Sequence, residues 1–506
     1  MKKFIPLIAC LSLTACEVGP DYTKPDAPLS ETYKEQPGWV AAAPALAEGD
    51  TPWWAIYKDP VLDGLEKQID ISNQTLKESE AAYRQSQAIV IQALAAFYPT
   101  VSLNGSASYS QSGGGGNRGV VSGPSATTTS PSQNTSSVTQ GSTIVSGGTN
   151  HSYNIASGAS WDLDVWGRIR RMVETQVANA QASAADLEAA RLAAEGSLAT
   201  DYFELRYEDQ FIQLLDQTVK AYQQSLKITQ NQYNAGVAAK TDVLNARTQL
   251  EAAQSQQINA GVARAAFEHA IAVLTGQPPA SLTIPPAPLT DIVPVVPAGV
   301  PATLLQRRPD IAEAERKVEA ASAAIGVSQA AYYPDVTLSA SFGYVGPDLG
   351  KLIQSSNQDW SAGPGISETI FDGGLRGGIL EQSRAAYDQA VASYRQTVLT
   401  ALQAVEDDLA QQAIYTKQAE VENQTVKDAE EAVRLSLNQY KAGTIVFSNV
   451  IQAQAIALGD EETALQLRQN RLVATVSLIE ALGGGWDASK LPTRDQVEDV
   501  PYGIFP

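Results

Sequence analysis

No proline occurs between Pro131 and Pro278, nor between Pro364 and Pro492. Through both intervals apolar residues return at steps of three, four or seven. Val173, Val177, Ala180, Ala184, Leu187, Ala194, Leu198, Tyr202, Leu205, Ile212, Leu215, Val219, Tyr222 and Leu226 keep that spacing in the first. Leu380, Tyr387, Val391, Tyr394, Val398, Ala401 and Val405 keep it in the second. Proline would remove a helical donor and clash with the preceding turn, so its absence leaves the pattern uninterrupted. Sustained over about sixty residues, the spacing predicts coiled-coil-like helices of roughly 90 Å. That length exceeds what a globular core needs. The expected long helices cover 166–232 and 373–439. Shorter helices are expected over 60–97, 240–275, 303–332 and 447–482.

The chain also repeats itself. "NQYNAGVAAKTDVLNA" (Asn231–Ala246) returns as "NQYKAGTIVFSNVIQA" (Asn438–Ala453), and "AAFYPTVSL" (Ala95–Leu103) returns as "AAYYPDVTL" (Ala330–Leu338). "DVWGRIRR" (Asp164–Arg171) roughly answers "TIFDGGLRGG" (Thr369–Gly378). The first pair lies 207 positions apart, and similar stretches recurring in the same order mark a repeated architectural unit. Two repeats, 59–290 and 291–483, each read helix, strand, strand, long helix, turn, helix. Gly236 and Gly443 sit where a reversing helix favours a residue that tolerates positive φ.

Lys2 and Lys3 precede the apolar "FIPLIACLSL", a run too short to span a bilayer, so residues 1–15 read as an export signal. "LTAC" (Leu13–Cys16) resembles the bacterial lipoprotein signal, which implies cleavage before Cys16 and lipid attached to it. The alternative is an ordinary signal peptide with an idle cysteine. Cys10 would leave with the signal, so the mature chain could form no internal disulfide. Glu17 at the second mature position suggests sorting to the outer membrane.

Beyond the signal no run of eighteen apolar residues exists, so a membrane crossing would have to be made of strands. Three stretches alternate apolar with small polar residues. "TVSLNGSASY" (Thr100–Tyr109), "SYNIASGASWDLD" (Ser152–Asp164) and "DVTLSASFGY" (Asp335–Tyr344) have aromatic residues at their ends. A fourth, near Trp360–Ile370, is interrupted by Pro364 and Glu368. The expected strands are 100–110, 152–164, 335–345 and 358–370. Alternation alone fits both a transmembrane barrel and a soluble sandwich with one wet face. The long helices favour the barrel. Four strands cannot close one, since the smallest have about eight. Open edges in lipid would strand backbone groups, so other copies must complete it. Three copies give twelve strands, although counting alone leaves a dimer open. The Gly/Ser/Thr/Asn-rich segment from Gln111 to about Asn150 reads as a long external loop.

Together "LTAC", "CEVGPDYTKP" (Cys16–Pro25), "LLQRRPDIAEAE" (Leu304–Glu315), "FDGG" (Phe371–Gly374) and the paired "QYxAG" tips resemble the outer-membrane efflux lipoproteins. These are exit ducts of tripartite resistance-nodulation-division pumps, related to the TolC-type channels. The resemblance covers essentially the whole chain. It implies a mixed α and β membrane protein, a homotrimer whose twelve-stranded transmembrane β-barrel continues into a long α-helical periplasmic barrel. The lipidated segment 16–58 would open an equatorial region completed by segments near 278–302 and 484–506. It further implies a periplasmic adaptor, an inner-membrane pump and outer-membrane lipid as partners. The helix tips Tyr233, Asn234, Ala235 and Gly236, and Tyr440, Lys441, Ala442 and Gly443, would dock the adaptor. Asp242 falls where the family has an acidic gate-holding residue. The constriction positions, often acidic in relatives, are Asn449 and Gln452, and Ile445 stands where a basic residue is common. Lys441 is the nearest basic candidate to link with Asp242; otherwise it is a solvated tip lysine.

The net charge of −20 argues against nucleic acid as a partner. The two histidines, His151 in the loop and His269 on a helix, are isolated, and metal-ligand spacing is absent. "GGGG" (Gly113–Gly116) lacks the Lys-Ser/Thr of a phosphate loop. The helical Asp and Glu read as solvated faces. The expectation is a non-enzyme with no cofactor beyond the lipid on Cys16. It would be a gated passive duct for small molecules, coupled to an adaptor and a pump. The alternatives are a type I secretion duct for proteins, an autonomous porin-like pore, and a surface enzyme or structural lipoprotein.

Overall fold

The computed structural model describes residues 17–30, 32–35, 52–111, 149–296 and 304–499. The expected signal peptide, Cys16, and the loop residues 112–148 lie outside the described residues. Two compact units divide the chain. Of the described residues, one holds 17 and those within 94–169 and 330–374, and the other holds those within 18–93, 170–329 and 375–499.

The first unit is a four-stranded antiparallel sheet in the order β1 (Thr100–Gln111), β2 (Thr149–Asp162), β3 (Asp335–Gly346) and β4 (Gln358–Ser367). Thr100 lies opposite Ser160, Trp161 opposite Leu338, and Asp335 opposite Ser367. The helix-proximal ends of all four strands therefore share one rim. There the Trp166 indole stacks on Tyr333 at 4.9 Å and donates to the Pro334 carbonyl, while Trp161 donates to the Phe97 carbonyl. At the opposite rim the Tyr109 and Tyr153 hydroxyls meet at 2.9 Å. β2 begins earlier than the sequence suggests, so His151 sits in a strand opposite Tyr109, not in the loop. Pro364, which weakens the fourth alternation, is taken into β4. This is an edge strand, where a missing N–H is tolerated.

The second unit is helical. α1 (Pro60–Ser72), α2 (Gln74–Ala95), α3 (Arg168–Asn234) and α4 (Lys240–Leu274) come from the first half of the chain. α5 (Leu304–Arg307), α6 (Pro309–Ala330), α7 (Leu375–Lys441), α8 (Phe447–Ala481) and the short α9 (Arg494–Glu498) come from the second. α3 and α7 have 67 residues each, and α4 and α8 have 35 each. Their apolar stripes meet in one buried cluster that includes Leu198, Tyr202, Leu205, Ile271, Tyr394, Val398, Leu472 and Ile479. None of the helices among the described residues is long and apolar enough to cross a membrane.

Two expected single helices are split. The first breaks at Asn73, whose side chain caps the next helix by accepting from Leu76 N at 2.9 Å and donates to the Leu274 carbonyl at 2.8 Å. The second breaks at Arg308, just before Pro309, and Arg308 donates to the Ala481 carbonyl at 2.7 Å. A residue before proline is pushed out of the helical region, which explains the second break. The first has no such sequence mark, because Asn73 is held there by the end of α4.

Candidate functional site

The two hairpin tips are built alike at the backbone. α3 ends with Gly236 at φ +78°, and Val237 N bonds back to the Gln232 carbonyl at 2.9 Å. α7 ends with Gly443 at φ +75°, and Thr444 N bonds back to the Gln439 carbonyl at 3.0 Å. Glycine enters this left-handed conformation without the steric penalty that a Cβ brings, so the helix reverses within a few residues.

The side chains break the likeness. Tyr440 is 5% exposed, with its ring 5.0 Å from Phe447 and packed with Val450 and Ala246. Tyr233 is 39% exposed, and the ammonium of Lys240 lies 5.3 Å from its ring centre. Lys240 holds in α4 the position that Phe447 holds in α8, the first residue of the helix. One tip is therefore closed over an aromatic pair, and the other presents its tyrosine outward beside a cation. Asn234, Ala235, Gly236, Lys441, Ala442 and Gly443 are all exposed. A bond from Gln232 Nε2 to the Tyr440 carbonyl, at 3.4 Å, links the two hairpins.

The expected link between Asp242 and Lys441 is not made within the chain. Among the described residues no ion pair joins them, and Asp242 lies beside Tyr440 instead. Burial raises the Tyr440 phenol above its ordinary range, and the Asp242 carboxylate adds to this while Thr229 opposes it. Lys441, the last residue of α7, is exposed. Asn449 and Gln452 are exposed on the first turns of α8, and Ile445 is half-buried against the Tyr440 cluster.

The segment following position 16 is tied down along its course. Asp21 pairs with Arg171 at 2.8 Å, and Lys24 with Glu315 at 2.6 Å. Arg395 donates to the Asp26 carbonyl, and the Glu406 carboxylate accepts the backbone N–H groups of Lys34 and Glu35 at 2.7 and 3.0 Å. α3, α6 and α7 are thus laced to the chain that would lead from a lipidated Cys16.

The reading of helical acids as solvated faces fails at several positions. Glu66, Glu195, Asp209 and Asp408 are buried. Asp209 accepts from Arg264 at 2.7 Å, Arg206 at 3.0 Å and Ala287 N at 3.1 Å. Arg206 and Arg264 reach on to the Pro285 and Ile284 carbonyls. This network fastens the proline-rich segment after α4 to the long helices. Composition gives no sign of it, since nothing but tertiary packing distinguishes these acids from their exposed neighbours. His269 is exposed on α4, and no group of His, Cys, Asp and Glu among the described residues could hold a metal ion.

The family model for outer membrane efflux proteins matches residues 65–277 and 300–484. The solvent efflux pump outer membrane protein SrpC of Pseudomonas putida is 30% identical over 495 residues, covering 96% of this chain and 99% of its own. The antibiotic efflux pump outer membrane protein ArpC of Pseudomonas putida is 29% identical, covering 95% and 94%. The solved structure of the outer-membrane channel OprN is 27% identical, with a TM-score of 0.81 over 93% of this chain and 100% of that one. The helical hairpins, the meander of alternating strands and these matches lead to one conclusion: the chain belongs to the outer membrane efflux protein family.

Proposed function

We propose that this protein is the outer-membrane exit duct of a tripartite efflux pump, conducting small molecules passively from the pump to the exterior and gated at its helix tips. The observation that carries this reading is the sheet. On β1, Val101, Leu103 and Tyr109 are largely exposed on one face, while Ser102, Asn104, Ser106 and Ser108 line the other. An apolar face open to solvent is unfavourable in water and favourable in lipid, and a polar face suits a water-filled lumen. Strands of 10–14 residues are long enough to cross a bilayer when tilted.

β1 and β4 are the edges of the sheet. In lipid each would leave a row of unpaired backbone groups, so the reading requires further copies, and a homotrimer with twelve strands meets that need. The long helices then line a periplasmic passage, and the tips Tyr233–Gly236 and Tyr440–Gly443 meet a periplasmic adaptor that joins the duct to an inner-membrane pump. The cargo class follows from the relatives, whose names place them in solvent and antibiotic pumps. Lipid on Cys16 anchors the segment laced along α3, α6 and α7. No catalytic step is asked of the protein, and the energy for transport comes from the pump.

Single-channel conductance of the purified protein in a planar bilayer tests the reading. A small conductance in the absence of partners, preferring cations, is expected of a duct closed at its tips. A large and steady conductance would favour an autonomous pore, and none at all would remove the barrel.

A further inference from the structure

Glu66 on α1 is 1% exposed, and among the described residues neither of its carboxyl oxygens has a hydrogen-bond partner. The charged groups that face it are acids. Asp70 lies one turn along α1, Glu195 faces it from α3, and Glu480 faces it from α8. Glu195 is itself buried and accepts from Trp53 Nε1 at 2.8 Å. Its other charged neighbours are Glu188, Asp70 and Arg191. Arg191 already pairs with Asp70 and Glu188, each at 3.0 Å. The Glu480 carboxyl lies directly on the α3 backbone at Gly196, where a Cβ would collide with it. Asp408 of α7, Arg308 and the buried Tyr57 also face Glu480. Arg308 forks onto Asp310 at 2.7 and 3.0 Å. Asp408 has Asp407 and Arg308 as its charged neighbours.

Both nearby cations are thus engaged by other acids, and neither is aimed at Glu66. An ionised carboxylate buried among carboxylates, with no donor, is the least stable arrangement the interior offers. A proton on the cluster removes the charge repulsion and most of the desolvation cost. We propose that Glu66, Glu195 and Glu480 form a proton-holding junction that ties α1 and α3 of the first half of the chain to α8 of the second, tight when protonated and loosened when the protons leave. The repeat underlines how local this is. The position of Glu480 on α8 corresponds on α4 to the exposed Val273, and that of Glu195 on α3 corresponds on α7 to the half-buried Leu402.

The electrostatics agree with the geometry. Burial, with the surrounding acids, pushes Glu66 up to about 10. Burial pushes Glu195 and Glu480 up to about 7, against the opposing pulls of the Trp53 indole on the first and Arg308 on the second. In the unfolded chain these groups ionise near 4.5. The folded state therefore holds more protons than the unfolded one above that pH. Stability is full below the unfolded value and falls as pH rises, through about 7 for Glu195 and Glu480 and on towards about 10 for Glu66.

The test is the thermal melting of the full-length purified protein in detergent between about pH 5 and about pH 9, beside Glu66→Gln and Glu480→Gln. Wild type should melt lower as pH rises. Glu66→Gln, which mimics the protonated acid, should keep the acid-side melting temperature and lose much of the decline. An equal decline in both would overturn the proposal. Infrared difference spectroscopy gives a second readout that does not depend on the variant folding. A protonated carboxyl band in wild type at neutral pH is expected, and its absence would overturn the proposal.

Discussion

Asp209 illustrates how a charge is accommodated inside a helical core. Both of its oxygens are taken, by Arg206, Arg264 and the Ala287 N–H; the arginines also donate to the backbone carbonyls of residues 284 and 285, and Arg264 reaches the Glu268 carboxylate. Removing one member of such a set is worse than never having built it, because the partners are left buried and uncompensated. Asp209→Ala should therefore destabilise the protein by about 3–5 kcal/mol, the range for breaking a buried pair. Denaturant unfolding measures this directly. A loss under about 1 kcal/mol would mean that the two arginines are satisfied by water. Few of these residues were legible in advance. Asp209 and Glu195 carry no local mark that separates them from exposed helical acids, and Glu66 betrays itself only by sitting between Leu62, Leu65 and Ile69 on the apolar face of α1; their burial is decided by which helix packs over them. Gly236 and Gly443 were legible, because a backbone reversal constrains a single residue type locally.

At the scale of elements, the two tips share a backbone and differ in what closes them. Phe447 fills the space against Tyr440 that Lys240 leaves open against Tyr233. Truncating a buried aromatic typically costs about 3–5 kcal/mol, and Phe447 lies at the centre of the cluster that closes this hairpin end. Phe447→Ala should therefore loosen the α7–α8 tip and raise leak conductance in a planar bilayer. Lys240→Ala should leave the leak as it is, since its contact is exposed and of the order of 0.5–1 kcal/mol. Equal leak in the two variants would show that the aromatic pair does not hold the tip shut. The long helices were readable because apolar spacing of three and four over some sixty residues admits only one period. The break at Asn73 was not, since it depends on the Leu274 carbonyl some two hundred residues away. The early start of β2 was hidden as well. His151 pairs with Tyr109 through its backbone, and its local sequence resembles the loop before it.

For the whole molecule, the contact between copies that the proposed trimer requires can be predicted from the repeat and from contacts inside one chain. β1 and β2 pair with Thr100 opposite Ser160, and β3 and β4 pair with Asp335 opposite Ser367. The first strand of each hairpin is thus displaced by 235 positions (100 to 335) and the second by 207 (160 to 367). The long helices share the second displacement (168 to 375). Applying both shifts to the β2–β3 register gives the register in which β4 of one copy should meet β1 of the next. Ala159 opposite Ala340 becomes Ile366 opposite Gly105, and Gly158 opposite Ser341 becomes Gly365 opposite Ser106. The match is sound in shape and in facing. Ile366 is 74% exposed, nothing stands over Gly105, and both lie on the apolar face of the sheet. Cysteines introduced as the pair Ile366→Cys with Gly105→Cys, or Gly365→Cys with Ser106→Cys, should join neighbouring chains on oxidation into a covalent trimer on a denaturing gel. A slip of two residues would move the cross-link to Leu103 or Ala107 and correct the register while keeping the barrel. A ladder ending at two chains would replace the trimer by a dimer. If no pair along the two edges can be joined, β1 and β4 do not meet, and a closed barrel is not how this protein crosses the membrane.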